Sequence, residues 1–152
     1  MYQFPFDSDK GLEVLLYIFD QCNSFYRAPR VLYYADKQHL SKYGRSICGG
    51  SYHAILAGPV HNELHDWILD MPLDDEVRLP KRSANPSYLS ETDREVLDKA
   101  IAKYGHMSYF EALRHAYKDG AYNAVNRHGE ISLELIIKDL ENGEELLEFL
   151  NS

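Results

Sequence analysis

Seven histidines are the residues in this chain best suited to chemistry, and two of them have a metal-like spacing. His61-Asn62-Glu63-Leu64-His65 puts imidazoles at i and i+4, on one side of a helix that carries them. A zincin needs glutamate directly after the first histidine, and the inverted form needs it directly before the second. Glu63 stands in the middle, so neither pattern is met. On a helical wheel His61 and His65 fall at the edge of a Val60/Leu64/Ile68 stripe. That predicts a solvated or rim position, with a partner contact as the second reading and a metal site as the third. Cys22 and Cys48 form no CxxC pair, and neither has a histidine at a recognisable activating spacing. They read as reduced, structural thiols. There is no GxSxG elbow, and Gly44-Arg45-Ser46-Ile47-Cys48-Gly49-Gly50 matches neither the Walker nor the dinucleotide pattern. No carboxylate pair stands out as an acid/base couple. The sequence therefore predicts no catalytic residue, no metal ligand and no cofactor.

One constellation breaks its local pattern. In the helix predicted over 29–43, the apolar stripe of Leu32, Ala35, Leu40 and Tyr43 also carries Asp36 and His39, while Lys37, Gln38 and Ser41 point away. A carboxylate and an imidazole on a core-facing stripe must find partners, because an unpaired buried charge is costly. Arg45, just past the helix end, is the candidate partner. Three readings stay open: a buried polar network that fixes the helix against the hairpin expected after it, a functional surface, or, last, catalysis.

The elements that position these residues are mostly helical. Leu12, Leu15, Leu16, Phe19 and Cys22 mark one helical face, with Asp7, Ser8 and Asp9 as caps. Pro29 suits the first turn of the second helix, and Gly44 suits its C-terminal cap. Ser46-Ile47-Cys48 and residues 51–56, joined by Gly49-Gly50, read as a short β-hairpin that Gly58-Pro59 terminates. Pro59 can then open a third helix with Val60, Leu64, Trp67, Ile68 and Met71 as its stripe. Residues 72–86 form the longest irregular stretch, in which Glu76-Val77-Arg78-Leu79 can add a third strand. Ser90 with Asp93, and Ser108 with Glu111, mark two more helix starts, the second helix running to about Lys118. Ser132 begins a C-terminal helix that Asn142-Gly143 interrupts. The expected fold is one domain over 1–152, mainly α, with about six helices and a small antiparallel β-hairpin or sheet between helices two and three.

A chain of 152 residues with 45% hydrophobic content can bury a core without disulfides or metal. No apolar run is long enough to span a bilayer, and the N-terminus lacks the basic and apolar regions of a signal peptide, so cytoplasmic residence with no membrane partner is expected. The formal net charge of −8 repels phosphate backbones. The densest basic run, Arg78-Leu79-Pro80-Lys81-Arg82, reads as a solvated connector, so nucleic acid is not an expected partner. An acidic surface suits a basic protein partner better.

Tyr33-Tyr34-Ala35-Asp36-Lys37-Gln38-His39-Leu40, Tyr43-Gly44-Arg45, Ile47, Gly49, Tyr52 and Gly58-Pro59-Val60 together resemble the signature of the Panacea (SocA-like) antitoxin family. Leu89-Ser90-Glu91, Tyr104-Gly105, His115 and Ala121-Tyr122 extend the similarity. The family often has Asn, Lys or Tyr where Ala57 stands, and usually Trp where Tyr122 stands. The resemblance implies a protein without catalytic residues that binds a cognate toxin, typically the product of an adjacent gene in a bacterial, phage or prophage genome, and neutralises it. It also implies, in at least one branch, an adaptor that presents the toxin to a Clp-type protease. Asp36, His39, Arg45, Tyr52, Pro59 and His61 would then be scaffold or toxin-facing surface. Two other classes compete: a winged-helix-like DNA-binding regulator, and a small metal-dependent hydrolase using His39, His61 or His65.

Overall fold

The structure is a computed structural model and describes residues 3–70 and 80–152. Its first helix, α1 (Ser8–Cys22), starts where the Asp7 carboxylate accepts the Lys10 N–H and stops at Asn23 in a left-handed conformation. The buried face centres on Val14, Leu15, Ile18 and Cys22, leaving Leu12 and Phe19 half-buried. It is rotated from the expected stripe because the later connector crosses α1. There Arg82 pairs with buried Glu13 at 2.7 Å, and the Asn85 N–H bonds the same carboxylate at 2.8 Å.

The second helix, α2 (Ala28–Tyr43), has Pro29 in its first turn and Gly44 at φ +74° as its cap, both as expected. From Ala28 to Asp36 it is buried on nearly every side, with Arg30 half-buried, whereas Gln38, Lys42 and Tyr43 near its end are exposed. Ala28, Val31, Leu32 and Ala35 join one core cluster with α1, whereas Tyr33, Tyr34 and Leu40 join a second cluster made with the C-terminal elements. Tyr43 is the exception, being exposed rather than on the buried stripe.

The hairpin exists but is displaced. Strands β1 (Tyr52–Ile55) and β2 (Gly58–His61) pair antiparallel around a Leu56-Ala57 turn, so Gly58-Pro59 lies inside the hairpin and does not end it. Ser46-Ile47-Cys48 is not a strand. Its Ile47 N–H is taken by Asp36, the Cys48 carbonyl by the Asp7 N–H, and the Gly50 N–H by the Phe4 carbonyl. Gly49 and Gly50 have φ of +72° and +100°, and a Cβ on Gly49 would overlap the Pro5 carbonyl. Their glycine character serves this close passage of the N-terminal segment rather than a tight turn. Pro59 is tolerated because β2 is an edge strand: the three-stranded sheet has order β2-β1-β3, with β3 (Glu130–Ile131) supplied from far along the chain.

Helix α3 (Asn62–Leu69) begins three residues after Pro59, and the His61 side chain caps it by accepting the Leu64 N–H. Leu64 and Ile68 are buried as expected, while Val60 belongs to β2. Met71 and the strand expected at 76–79 lie outside the described residues. A short 3₁₀ turn at Pro86–Tyr88 precedes α4 (Glu91–Tyr104), which opens with the expected Ser90/Asp93 capping box and packs along α2. Helix α5 (Tyr109–Ala116) opens with the Ser108/Glu111 box and ends before Lys118, because Asp119 caps a separate turn, α6 (Gly120–Asn123). After β3, Ser132 caps α7 (Leu133–Lys138), and α8 (Gly143–Asn151) completes the chain. The fold is mainly α, with eight helices among the described residues where about six were expected: α6 and α8 are the additions.

Candidate functional site

Asp36 is 1% exposed on α2, facing the loop that leaves the helix. Its Oδ1 accepts the Ile47 N–H at 2.8 Å, and its Oδ2 accepts the Ser46 hydroxyl at 3.1 Å and the Tyr52 hydroxyl. Ser46 Oγ in turn accepts the Gly49 N–H at 3.0 Å. One carboxyl group thus fixes α2, the 46–50 loop and β1 to each other. Burial outweighs these donors and pushes the carboxyl up to about 7.

The Arg45 side chain does not reach Asp36. Its guanidinium lies 3.1 Å from Asp93 Oδ1 and 3.1 Å from Ser90 Oγ at the start of α4, and it donates to the Ser46 carbonyl at 3.0 Å. Asp93 is fully buried, and Lys10 of α1 holds its other oxygen at 2.8 Å. Burial works to raise the Asp93 carboxyl, but Lys10, the Ser90 N–H and Arg45 prevail and hold it below the usual carboxylate value. His39, fully buried, meets the Arg45 carbonyl through Nδ1 at 2.8 Å and Thr92 Oγ1 through Nε2 at 2.9 Å. A carbonyl only accepts, so Nδ1 carries the proton and Nε2 is left to accept. Burial holds this imidazole below its ordinary value, which keeps it neutral beside Asp93.

His61 is fully buried, contrary to the rim position its wheel angle predicts. Nε2–H donates to the Gly49 carbonyl at 2.7 Å and Nδ1 accepts the Leu64 N–H at 3.2 Å, so both ring nitrogens are used and burial disfavours protonation. The wheel fails because His61 is the cap residue, outside the helical turn. Glu63 accepts the Ser51 N–H at 2.7 Å, and the Ser51 hydroxyl also lies against its carboxylate. His65 lies elsewhere, half-buried, with its ring 5.3 Å from that of His53. Among the described residues no group of three or more His, Cys, Asp or Glu is placed to hold a metal ion. Pro59, buried in β2 opposite Ala54, adds shape and no polar contact.

The structure therefore brings Asp36, Tyr52, His39 and Arg45 into one connected region, with His61 joined through Gly49. It adds Asp93, Lys10, Ser46 and Thr92, which sequence reasoning missed. Asp93 was visible only as a capping residue, because its partner Arg45 lies far earlier in the chain. A second polar chain was also missed: Tyr33 and Lys37 of α2 both reach Asp119, at 2.9 Å each, and Lys37 also reaches Asp139 at 2.8 Å. Alternation along α2 gives no hint of it, since Lys37 sits on the side expected to be solvated.

On the outside, large apolar side chains are exposed on α5 and at the hairpin turn. Phe110 is 73% exposed, Tyr117 60% and Leu56 49%. Tyr109 packs edge-on to Phe110 at 5.9 Å, and Tyr122 ties the turn to this region by donating to the Ile55 carbonyl at 2.6 Å.

The family model for antitoxin SocA-like proteins of the Panacea domain matches residues 30–122, from α2 to α6, and the chain belongs to that family. No curated protein and no solved structure matches the chain. No helix among the described residues is long and apolar enough to cross a membrane.

Proposed function

We propose that this chain is an antitoxin that neutralises a cognate toxin by direct binding and performs no catalysis itself. The observation that carries the reading is the aromatic area of Leu56, Tyr109, Phe110 and Tyr117, exposed beside a fully packed core. Large rings in contact with water suit the anchors of a protein interface, where aromatic residues dominate binding energy. Arg114 on α5 and Lys118 just past its end neighbour these rings along the chain, so the toxin face that meets them is apolar with an acidic rim, although the chain as a whole is acidic. The Asp36, His39, Arg45, Tyr52 and His61 cluster acts as scaffold. Its polar atoms are consumed by protein partners, and a catalytic group must keep an atom free for substrate. Presentation of the bound toxin to a Clp-type protease is a further step that the same interface would serve.

The test is co-expression with the adjacent gene product under native conditions. A stoichiometric complex, together with rescue of growth when the neighbour alone is toxic, is the expected result. No complex with any neighbouring product would overturn the reading. Toxin half-life measured with and without the protease separates occlusion from degradation.

A further inference from the structure

The C-terminal helix presents a mixed aromatic and acidic face to water. Helix α8 is tied to α2, because the Asn142 side chain donates to the Ser41 carbonyl at 2.8 Å and accepts the Ser41 hydroxyl at 3.2 Å, and Leu146 is buried. The surface it turns outward is therefore preformed. On that surface Phe149 is 67% exposed, and a Cβ on Gly44 would touch its ring at 3.8 Å. Tyr43, next to Gly44, is 43% exposed. Large rings left in water this close together mark a contact surface.

The charge around these rings decides what covers them. Residues 141–152 hold four glutamates and no lysine or arginine, so half of the chain's net charge of −8 is gathered here. Glu141, Glu144, Glu145 and Glu148 are all exposed, and among the described residues no cation pairs with any of them. Lys138 is taken by Glu134 at 2.9 Å, and Lys42 by Glu95 at 3.1 Å. The helix dipole accounts for Glu144 and Glu145, which stand in the first turn. It does not account for Glu141, which precedes the helix, or for Glu148, which repels Glu144 from the i+4 position. A recess of about 470 Å³ between the end of α7 and α8 continues the face, with Leu140 and Leu147 as its apolar lining and Glu141, Glu144 and Glu145 as its charge. Glu145 joins the two parts, since it lines the recess and stands one turn before Phe149.

These features select one occupant. Nucleic acid and anionic lipid are repelled. A second copy of the chain meeting this face about a two-fold axis would set the same glutamates against each other. A small cation would satisfy the carboxylates and leave the rings wet. A lysine or arginine side chain meets both demands, because its aliphatic stem packs on leucine while its head stays with the carboxylates. We propose that the α8 face is a second docking surface, which takes a segment of a partner protein carrying lysines or arginines around one large apolar side chain, with that side chain seated on Phe149 and Tyr43. It goes beyond the toxin contact on α5. The α5 rings have Arg114 and Lys118 as neighbours along the chain, so the two faces carry opposite charge and take different surfaces.

The experiment uses the full chain with labelled phenylalanine rings, observed by NMR at about 0.15 M salt, where a Debye length of about 8 Å removes the pull of distant charges. The probe is the blocked heptapeptide Lys-Leu-Lys-Phe-Lys-Leu-Lys. It is compared with an analogue in which every lysine is glutamate, and with Lys-Gly-Lys-Gly-Lys-Gly-Lys, which keeps the charge and drops the apolar groups. The first peptide should shift Phe149 saturably and leave Phe110 unmoved, the second should shift neither, and the third should bind about tenfold more weakly. Phe149→Ser should weaken the first peptide about tenfold, and Glu145→Gln with Glu148→Gln about fivefold. Both glutamates are exposed, so the folding of that variant is not at issue. Asp9→Asn with Asp66→Asn removes the same charge from exposed positions on α1 and α3 and should leave the affinity unchanged. Equal weakening by that control would mean attraction to the net charge alone and would overturn the proposal. A saturable shift at Phe110 instead of Phe149, equal binding of the glycine peptide, or no saturable shift would overturn it as well. No toxin enters this titration, so its failure leaves the antitoxin reading intact.

Discussion

Replacing Asp36 with asparagine tests how the buried carboxyl is held, because its donors and its burial pull in opposite directions. Three donors converge on it, which favours the ionised form, while full burial favours the neutral one. Burial wins and sets the carboxyl near 7, against 3.8 for an ordinary aspartate. In the folded protein Asp36 then keeps a proton that the unfolded chain releases between about pH 4 and 7. Its contribution to stability is fully present below the unfolded value and is lost as pH rises through the folded value. A difference of about 3 units corresponds to about 4 kcal/mol as an upper bound.

Asparagine carries no such titration. Its amide also presents an N–H₂ to hydroxyls that already donate, leaving one or two hydrogens without acceptors at a cost of about 2–3 kcal/mol. Asp36→Asn should therefore be less stable than the wild type by that amount at pH 5, with a melting temperature lower by roughly 4–12 °C for a chain of this size. The gap should narrow by about 2–3 kcal/mol on going to pH 8, because only the wild type is left holding a buried charge. Urea unfolding followed by circular dichroism at pH 5, 6.5 and 8 gives the three differences directly. Comparing wild type with variant cancels the other titrating groups. A gap that stays constant would mean that the folded carboxyl is already ionised at pH 5, the donors prevailing over burial or matching it, and would refute the reasoning.

Arg45→Ala removes one of two cations from buried Asp93, but Lys10 and the Ser90 N–H remain, and the Arg45 side chain is 39% exposed. The loss is thus discounted to about 1–2 kcal/mol from the larger cost of a stranded charge. Unchanged urea stability together with lost toxin binding would place the cluster in the interface instead. Phe110→Ala combined with Tyr117→Ala should weaken toxin binding by at least about 2 kcal/mol in calorimetry while moving stability by less than about 0.5 kcal/mol, since both rings face water. Full affinity in that double variant would exclude α5 as the docking helix. Gly50→Ala puts a Cβ 2.6 Å from both Glu63 Oε1 and His61 Nε2 at a φ of +100°, and a loss of more than about 2 kcal/mol is expected. A loss below about 0.5 kcal/mol would show that the loop yields there.

How far these features were legible depended on how local their causes are. Asp7, Pro29, Gly44, Ser90 and Ser108 act within one helical turn, and each marks a helix end where its type and spacing predict one. The 46–50 segment was misread because its cause is distant. Gly49-Gly50 has the composition of a hairpin turn, but its positive φ values serve contact with Phe4 and Pro5, at the far N-terminal end of the chain. β3 is two residues long and carries no period of its own. Asp36 and His39 were recognisable as polar residues on a buried face. Their partners were not, because Arg45 turns its carbonyl to His39 and its guanidinium to Asp93, a division that residue type does not encode.

Both polar networks start from α2, and their arrangement explains why that helix can be so deeply buried from Ala28 to Asp36. Asp36 and His39 reach the 45–47 loop and the start of α4, while Tyr33 and Lys37 reach Asp119 and Asp139 beyond α5. Apolar packing alone is tolerant of rotation and sliding, whereas each of these bonds is satisfied at only one helix position. Asp119 lies just beyond the end of α5 and caps α6, so Tyr33 and Lys37 in effect fix where α5 ends. On the proposed reading α5 is the docking helix, and the anchoring of its C-terminal end through Asp119 leaves the backbone that carries Phe110 and Tyr117 less freedom to lose on binding. On the antitoxin reading proposed above, the Tyr33, Lys37 and Asp119 chain serves binding without touching the toxin, by holding still the end of the helix that does.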